Sequence, residues 1–331
     1  MGAAEEIEMD NIEIRMIEVD GQVLKVALKD GPADTPPLLM FNGIGANLEL
    51  DFPFLRELQG RRAIIFDVPG VGGSPIPALP YRPGTLARWA KRLCEILGHD
   101  QVDVSGVSWG GGMAQQFARQ YPKLCRKLVL AATSAGFVMK PGKPAVLSKM
   151  ASFKRYTDKS YMRSIAAEIY GGDFRHGTGH IEAHAAGVKP QSQKGYVYQL
   201  LAMTGWTSVH WLWMLRQPTL IMSGNDDPLI PVENAKLLAK LIPNARLELL
   251  DNGHLFLATR PRETAETIEA FLDEAQLLIA PYRSGRRSRK MPQAARVLRI
   301  ASRSNDASAT PSSVSMSATI PPVSSAMKLP P

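Results

Sequence analysis

The sequence predicts an α/β architecture, a mostly parallel eight-stranded sheet with helices on both faces. Three observations predict it. Short apolar runs of strand length alternate with longer amphipathic stretches between Leu38 and Ala131. A Gly-x-Ser-x-Gly turn, Gly106-Val107-Ser108-Trp109-Gly110, stands where one such run meets one such stretch. The alternation stops after Gly136 and resumes at Pro218, and about 80 residues are too many for a plain loop in a compact domain.

Each element follows from its own pattern. Asn11 to Lys29 alternates apolar and polar residues around Asp20-Gly21, which predicts a hairpin. Leu38–Phe41 and Ala63–Phe66 read as strands, and Leu86–Leu97 as a helix. Val102–Val107 is a strand, Met113–Gln120 a helix and Lys127–Ala131 a strand. Inside the interruption, Lys149–Tyr170 and Val197–Leu215 read as helices. Pro218–Gly224 and Leu247–Leu250 resume the strands. Residues 1–136 and 216–280 therefore form the core, 137–215 a helical lid, and 281–331 a basic, then Ser/Pro/Ala-rich, disordered tail.

The 331 residues are 45% hydrophobic, enough for one large core of about 250–280 residues. Nine of the 39 Lys and Arg and one of the 31 Asp and Glu lie beyond residue 280. That segment holds the whole formal charge of +8, and residues 1–280 are balanced. A nucleic-acid reading of the core fails on that count. The basic stretch Arg283 to Arg303 has the charge for an anionic surface, or is simply a solvated extension. Cys94 and Cys125, both placed in helical segments, form no disulfide or metal-binding pattern. The acidic start lacks a signal-like apolar core, and no apolar run is long enough to cross a membrane, so a cytoplasmic location is expected.

The Gly-x-Ser-x-Gly turn carries the chemistry. Between strand and helix it predicts a strained elbow that lifts the Ser108 hydroxyl above the sheet, at a helix N-terminus that favours negative charge. A serine hydroxyl needs a histidine to take its proton and an acid to orient that histidine. In this kind of elbow the chain order is serine, acid, histidine. Of His99, His176, His180, His184, His210 and His254, only His254 follows a strand-end acid downstream of the serine. That acid is Asp227 in Gly224-Asn225-Asp226-Asp227-Pro228, with Asp226 as the alternative. Donors for the oxyanion are expected from the backbone N–H groups of Ile44, in the glycine-rich turn after Phe41, and of Trp109.

Two other patterns are set aside. Asp67-Val68-Pro69-Gly70-Val71-Gly72-Gly73-Ser74 lacks the third glycine and the following helix of a dinucleotide loop. His176, His180 and His184 recur every four residues, but Gly177 and Gly179 weaken the helix that such a metal site needs. No metal or cofactor is expected.

Several stretches together resemble one family. They are Leu39 to Leu50 (LMFNGIGANLEL), Phe66 to Ser74, Gly106 to Gly111, Leu128 to Thr133, Gly205-Trp206-Thr207-Ser208, Asp226 to Pro231 and Asn252 to Leu257. The chain resembles the α/β-hydrolase superfamily, and within it the intracellular medium-chain-length poly(3-hydroxyalkanoate) depolymerases, over residues 10–275, lid included. The resemblance implies Ser108, Asp227 and His254 as the triad and a storage-granule polyester as substrate. It carries over nothing for the basic tail. A 3-hydroxyacyl transacylase or thioesterase, a general medium-chain esterase and a non-catalytic granule-binding protein are the competing readings.

Overall fold

The computed structural model describes residues 11–189, 191–275 and 297–299. The chain divides into two units, residues 1–300 and 301–331, and the second lies wholly outside the described residues. So does the tail expected from residue 281, apart from residues 297–299.

The strands are β1 (Ile12–Val19), β2 (Gln22–Lys29), β3 (Leu38–Phe41), β4 (Ala63–Phe66), β5 (Val102–Val107), β6 (Cys125–Ala131), β7 (Thr219–Gly224), β8 (Ala245–Leu250) and β9 (Val297–Arg299). They form one sheet in the order β1-β2-β4-β3-β5-β6-β7-β8-β9. The pairs β1–β2 and β2–β4 are antiparallel and all others parallel. The eight expected strands are present, and β9 adds a ninth beside β8 that the sequence did not announce. At the β1–β2 turn both Asp20 and Gly21 have positive φ, as a two-residue hairpin of matching twist requires.

The helices are α1 (Phe52–Glu57), α2 (Pro83–Ile96), α3 (Trp109–Gln120), α4 (Pro144–Ala151), α5 (Lys154–Thr157), α6 (Lys159–Tyr170), α7 (Thr178–Gly187), α8 (Gln193–Met203), α9 (Glu233–Leu241), α10 (Phe256–Thr259) and α11 (Pro261–Asp273). The parallel strands β3, β4 and β7 are buried on both faces, as strands covered by helices on each side must be. Within β3, Leu39 and Phe41 join one core with Leu93, Phe117 and Leu238. Leu38 and Met40 join the opposite core with Met222, Ile268 and Phe271. Among the described residues no helix is long and apolar enough to cross a membrane.

The interruption between β6 and β7 holds α4 to α8 and a small core of its own, with Met162, Ile165, Ile169 and Phe174 packed on Leu229. Several expectations there are corrected. Lys149–Tyr170 is three short helices. The helix read over Val197–Leu215 ends at Met203, where Thr204 leaves helical geometry and Gly205 takes φ +70°. Leu212 is buried and Val209 and Trp211 pack on the core in irregular structure, so burial there imitated helical periodicity. Gly177 caps α7 and Gly179 sits in its first turn, so a helix does form across His180 and His184. Cys94 is in α2, but Cys125 opens β6.

Candidate active site

The parallel sheet brings the ends of β3, β5, β7 and β8 to one side, and each contributes a loop. Ser108 follows β5 with φ 54° and ψ −118°, a conformation that side chains rarely adopt. Such strain costs about 1–3 kcal/mol and persists only where the surroundings enforce it. Here its own N–H donates to Ala131 O (2.9 Å), and its carbonyl accepts from Thr133 Oγ1 (2.6 Å) and Gly111 N (3.0 Å). A Cβ on Gly106 would stand 2.3 Å from Gly110 O, and one on Gly110 would stand 2.1 Å from Phe41 O. The two glycines are what let α3 fold back onto β5 and β3 at this distance.

The acid and the histidine come from the β7 and β8 loops. Asp227 Oδ2 is 2.7 Å from His254 Nδ1, with both side chains almost fully buried. Asp227 Oδ1 accepts from the N–H groups of Leu229 (2.9 Å) and Ile230 (2.8 Å), which fixes the carboxylate plane. With Nδ1–H donating to Asp227, Nε2 is the lone-pair nitrogen. The His254 N–H donates to Tyr170 O (2.7 Å), and the imidazole lies parallel to the Tyr170 ring at 6.3 Å. Asp226 turns the other way, accepting from Gly172 N (2.8 Å) and Arg175 Nε (2.8 Å) at the surface. The fold therefore separates the two adjacent aspartates that the sequence left open.

Ser108 and His254 line one small cavity of about 90 Å³ with Asn42, Ile44, Asp51, Arg155, Tyr156, Tyr170 and His184. Among the described residues the Ser108 hydroxyl has no side-chain hydrogen-bond partner, and such bonds commonly tighten only with substrate present. Ser108, Ile44 and Met150 also border a second space, an open apolar groove of about 380 Å³. Phe137, 76% exposed, stands at its rim. The serine thus sits at the junction of a small, partly open cavity and a greasy groove.

The N–H groups of Ile44 and Trp109 have no acceptor among the described residues. Their loops are fastened from the interruption by residues the sequence reading missed. Gln199 of α8, fully buried, takes the Gly45 N–H on Oε1 (2.8 Å) and the Trp109 indole N–H on its carbonyl (3.1 Å). Tyr156 donates its hydroxyl to Ile44 O (2.8 Å). Gly45 has φ +67°, and a Cβ there would lie 1.9 Å from the Tyr156 oxygen. Nothing in local sequence marks Gln199, since its partners lie 90 and 154 residues away.

The other histidines are elsewhere or otherwise engaged. His184 reaches the cavity wall, edge-on to Tyr170 and Phe174, and burial lowers its pKa to about 4. His180 packs on Phe174. In the glycine-rich turn after β4, Asp67 accepts from Leu48 N (2.7 Å) and Gly73 N (2.7 Å), a structural brace.

This fold and this loop geometry define a class, and comparison with known proteins gives it a name. The α/β hydrolase fold family model matches residues 36–261, and the chain belongs to that family. Within it the chain is 52% identical over 261 residues to a poly(3-hydroxyalkanoate) depolymerase of Ectopseudomonas oleovorans, covering 78% of this chain and 92% of that one. It is 32% identical over 251 residues to a pimeloyl-[acyl-carrier protein] methyl ester esterase of Aromatoleum aromaticum, covering 71% and 97%. Among solved structures, a hydrolase from Pseudomonas aeruginosa PA01 superposes with a TM-score of 0.66 at 25% identity over 80% of this chain and 98% of that one. The enol-lactonase of Burkholderia xenovorans LB400 (TM-score 0.68, 20% identity, 78% and 100% covered) shares the fold.

Proposed function

We propose that this chain is a serine ester hydrolase that degrades medium-chain-length poly(3-hydroxyalkanoate) to 3-hydroxy acids, acting in the cytoplasm at the surface of the stored polyester. The observation that carries the chemistry is the strained Ser108 elbow sharing a cavity with the His254–Asp227 pair. The polyester assignment is supported by the 52% likeness to a depolymerase and by the apolar groove that reaches Ser108.

In this reading Ser108 Oγ attacks the ester carbonyl as His254 Nε2 takes its proton. Charge develops on the carbonyl oxygen, where the free N–H groups of Ile44 and Trp109 receive it. Imidazolium His254, stabilised by Asp227, returns the proton to the leaving alkoxide. Water, deprotonated in turn by His254, then attacks the acyl-enzyme, and the proton returns to Ser108 as the 3-hydroxy acid leaves. Residues 137–215 act as a lid, shielding the acyl-enzyme from bulk water and offering the polyester its alkyl-binding groove.

The test is release of 3-hydroxy acids from purified medium-chain polyester by the intact protein and by Ser108→Ala. Release that disappears in the variant is the expected result. If the intact protein leaves the polymer untouched but cleaves soluble octanoyl esters, the polymer assignment falls and a small-ester hydrolase remains.

A further inference from the structure

The cavity shared by Ser108 and His254 has a buried cation in its wall that the proposed reaction does not use. Arg155, in α5, is 5% exposed. Among the described residues one other arginine is as deeply buried, and the two are provided for differently. Arg61 is neutralised by Asp103 (3.1 Å) and Asp273. Arg155 has no ion pair among the described residues. Its Nε donates to Met150 O (3.1 Å), its Nη2 to the Tyr196 hydroxyl (3.5 Å), and its guanidinium lies on the Tyr156 ring at 4.0 Å. The Tyr170 phenol interacts with it as well. These partners are a carbonyl and three phenols, and burial raises Tyr156 and Tyr170 further from ionisation. Asp51, the one carboxyl in the cavity wall, is hydrogen-bonded by the Asn42 amide instead, and burial pushes it up to about 7.

A guanidinium held away from water without a countercharge is costly, and an anion that binds beside it offsets that cost. Burial, and then the Arg155 charge, hold the cavity-wall His184 down at about 4, so the guanidinium's field is felt inside the cavity. Contacts place Arg155 one aromatic ring from the chemistry on two sides. Tyr156, under the guanidinium, donates to Ile44 O (2.8 Å) in the turn that carries an oxyanion donor. Tyr170 interacts with Arg155 through its phenol and lies parallel to the His254 imidazole at 6.3 Å. A second cavity of about 220 Å³ adjoins the first and shares Arg155, Tyr156, Met162 and Val188 with it. Lys159 lines it and no carboxyl does. The planar fork of an arginine matches a carboxylate, and the reaction presents one. At the last ester of a polyester chain the leaving alcohol is itself a 3-hydroxy acid. Its carboxylate carbon is three bonds from the ester oxygen that His254 protonates.

We propose that Arg155 binds the terminal carboxylate of the polyester chain, so that the last ester lies at Ser108 and one 3-hydroxy acid leaves per attack. The inference rests on the ester-hydrolase reading above and deepens it. Water releases the acyl chain left on Ser108 with a carboxylate of its own, which fits the same site in the next cycle. Attack inside the chain leaves the guanidinium buried without its countercharge, so chain ends are favoured over internal esters. The freed acid, still an anion, has the second cavity and Lys159 beside it.

The experiment compares kcat/KM for cleavage of the internal ester in the linear (R)-3-hydroxyhexanoate dimer, as the free acid and as its methyl ester. It uses the intact protein, Arg155→Met, Arg155→Lys and Ser108→Ala. The intact protein is expected to prefer the free acid at least about tenfold. Arg155→Met, which removes the charge, should lower that ratio about tenfold, and Arg155→Lys, which keeps it, should retain part. A ratio near one in the intact protein overturns the subsite, whether or not the variants fold. So does failure to cleave either dimer by a protein that cleaves the polymer. Equal losses on both dimers in Arg155→Met also overturn it and leave Arg155 a brace for the tyrosines. Hydrolysis that survives in Ser108→Ala fails the enzyme reading instead, a separate outcome.

Discussion

At the scale of single residues, the His254–Asp227 contact is the most exposed to test. Asp227 is held by two backbone N–H groups as well as by the imidazole, so removing its charge should leave the loop in place. Asp227→Asn is expected to lower kcat on a soluble octanoyl ester by about 10³- to 10⁴-fold, because the amide no longer favours the tautomer with a free Nε2. Thermal melting should move by only a few degrees, and an unchanged kcat would remove Asp227 from the proposed triad. Ser108 and His254 were legible because their signals are short-range: an elbow of five residues, and a chain order that leaves one histidine. Asp226 and Asp227 could not be separated that way, since the choice depends on Gly172 and Arg175 drawing Asp226 to the surface. Arg155 was not legible at all. Its place in the wall of the Ser108 cavity exists only after Tyr156 seats on the Ile44 turn.

At the scale of elements, the strands were read well because burial on both faces gives uninterrupted apolar runs, as in Ala63–Phe66 and Val102–Val107. Helices of the interruption were read poorly because their inward-facing residues serve two masters. Tyr156 and Gln199 face the site loops, while Ile165 and Ile169 face the small core beside Leu229. Gln199→Leu tests the fastening of the Gly45 turn. It leaves the Gly45 N–H buried without its acceptor, and the loop carrying the Ile44 N–H should drift. The expected result is a fall in kcat of about tenfold or more with KM within about twofold, since oriented donors act mainly on the transition state. A rise in KM with kcat preserved would instead place Gln199 in substrate binding.

At the scale of the whole molecule, three acidic groups near the site tie stability to pH in opposite senses. Burial pushes the Asp51 carboxyl from 3.8 up to about 7, with the Asp67 charge adding to it and the Asn42 amide opposing. Burial likewise takes Asp67 to about 6, against the N–H groups of Gly73 and Leu48. Raised carboxyls favour the fold below about pH 4, and that contribution is lost as pH climbs through about 6 and 7. Burial would raise Glu49 too, but Lys189, Lys25 and Asn47 outweigh it and hold the group at about 2. Its contribution is complete above about pH 4.5 and fades as pH falls through about 2. The melting-temperature difference between Asp51→Asn and the intact protein should therefore grow more positive from about pH 5 to pH 8. The deficit of Glu49→Gln should shrink as pH falls toward about 2. Differences that stay flat with pH would refute both assignments. The clasp of Gln199 and Tyr156 on the Gly43–Ala46 turn has a consequence for engineering. A chimera that grafts another hydrolase's segment into the span between β6 and β7 would arrive without its matching turn. The two stretches form one transplantable module, and only grafts that move both should yield an active hybrid.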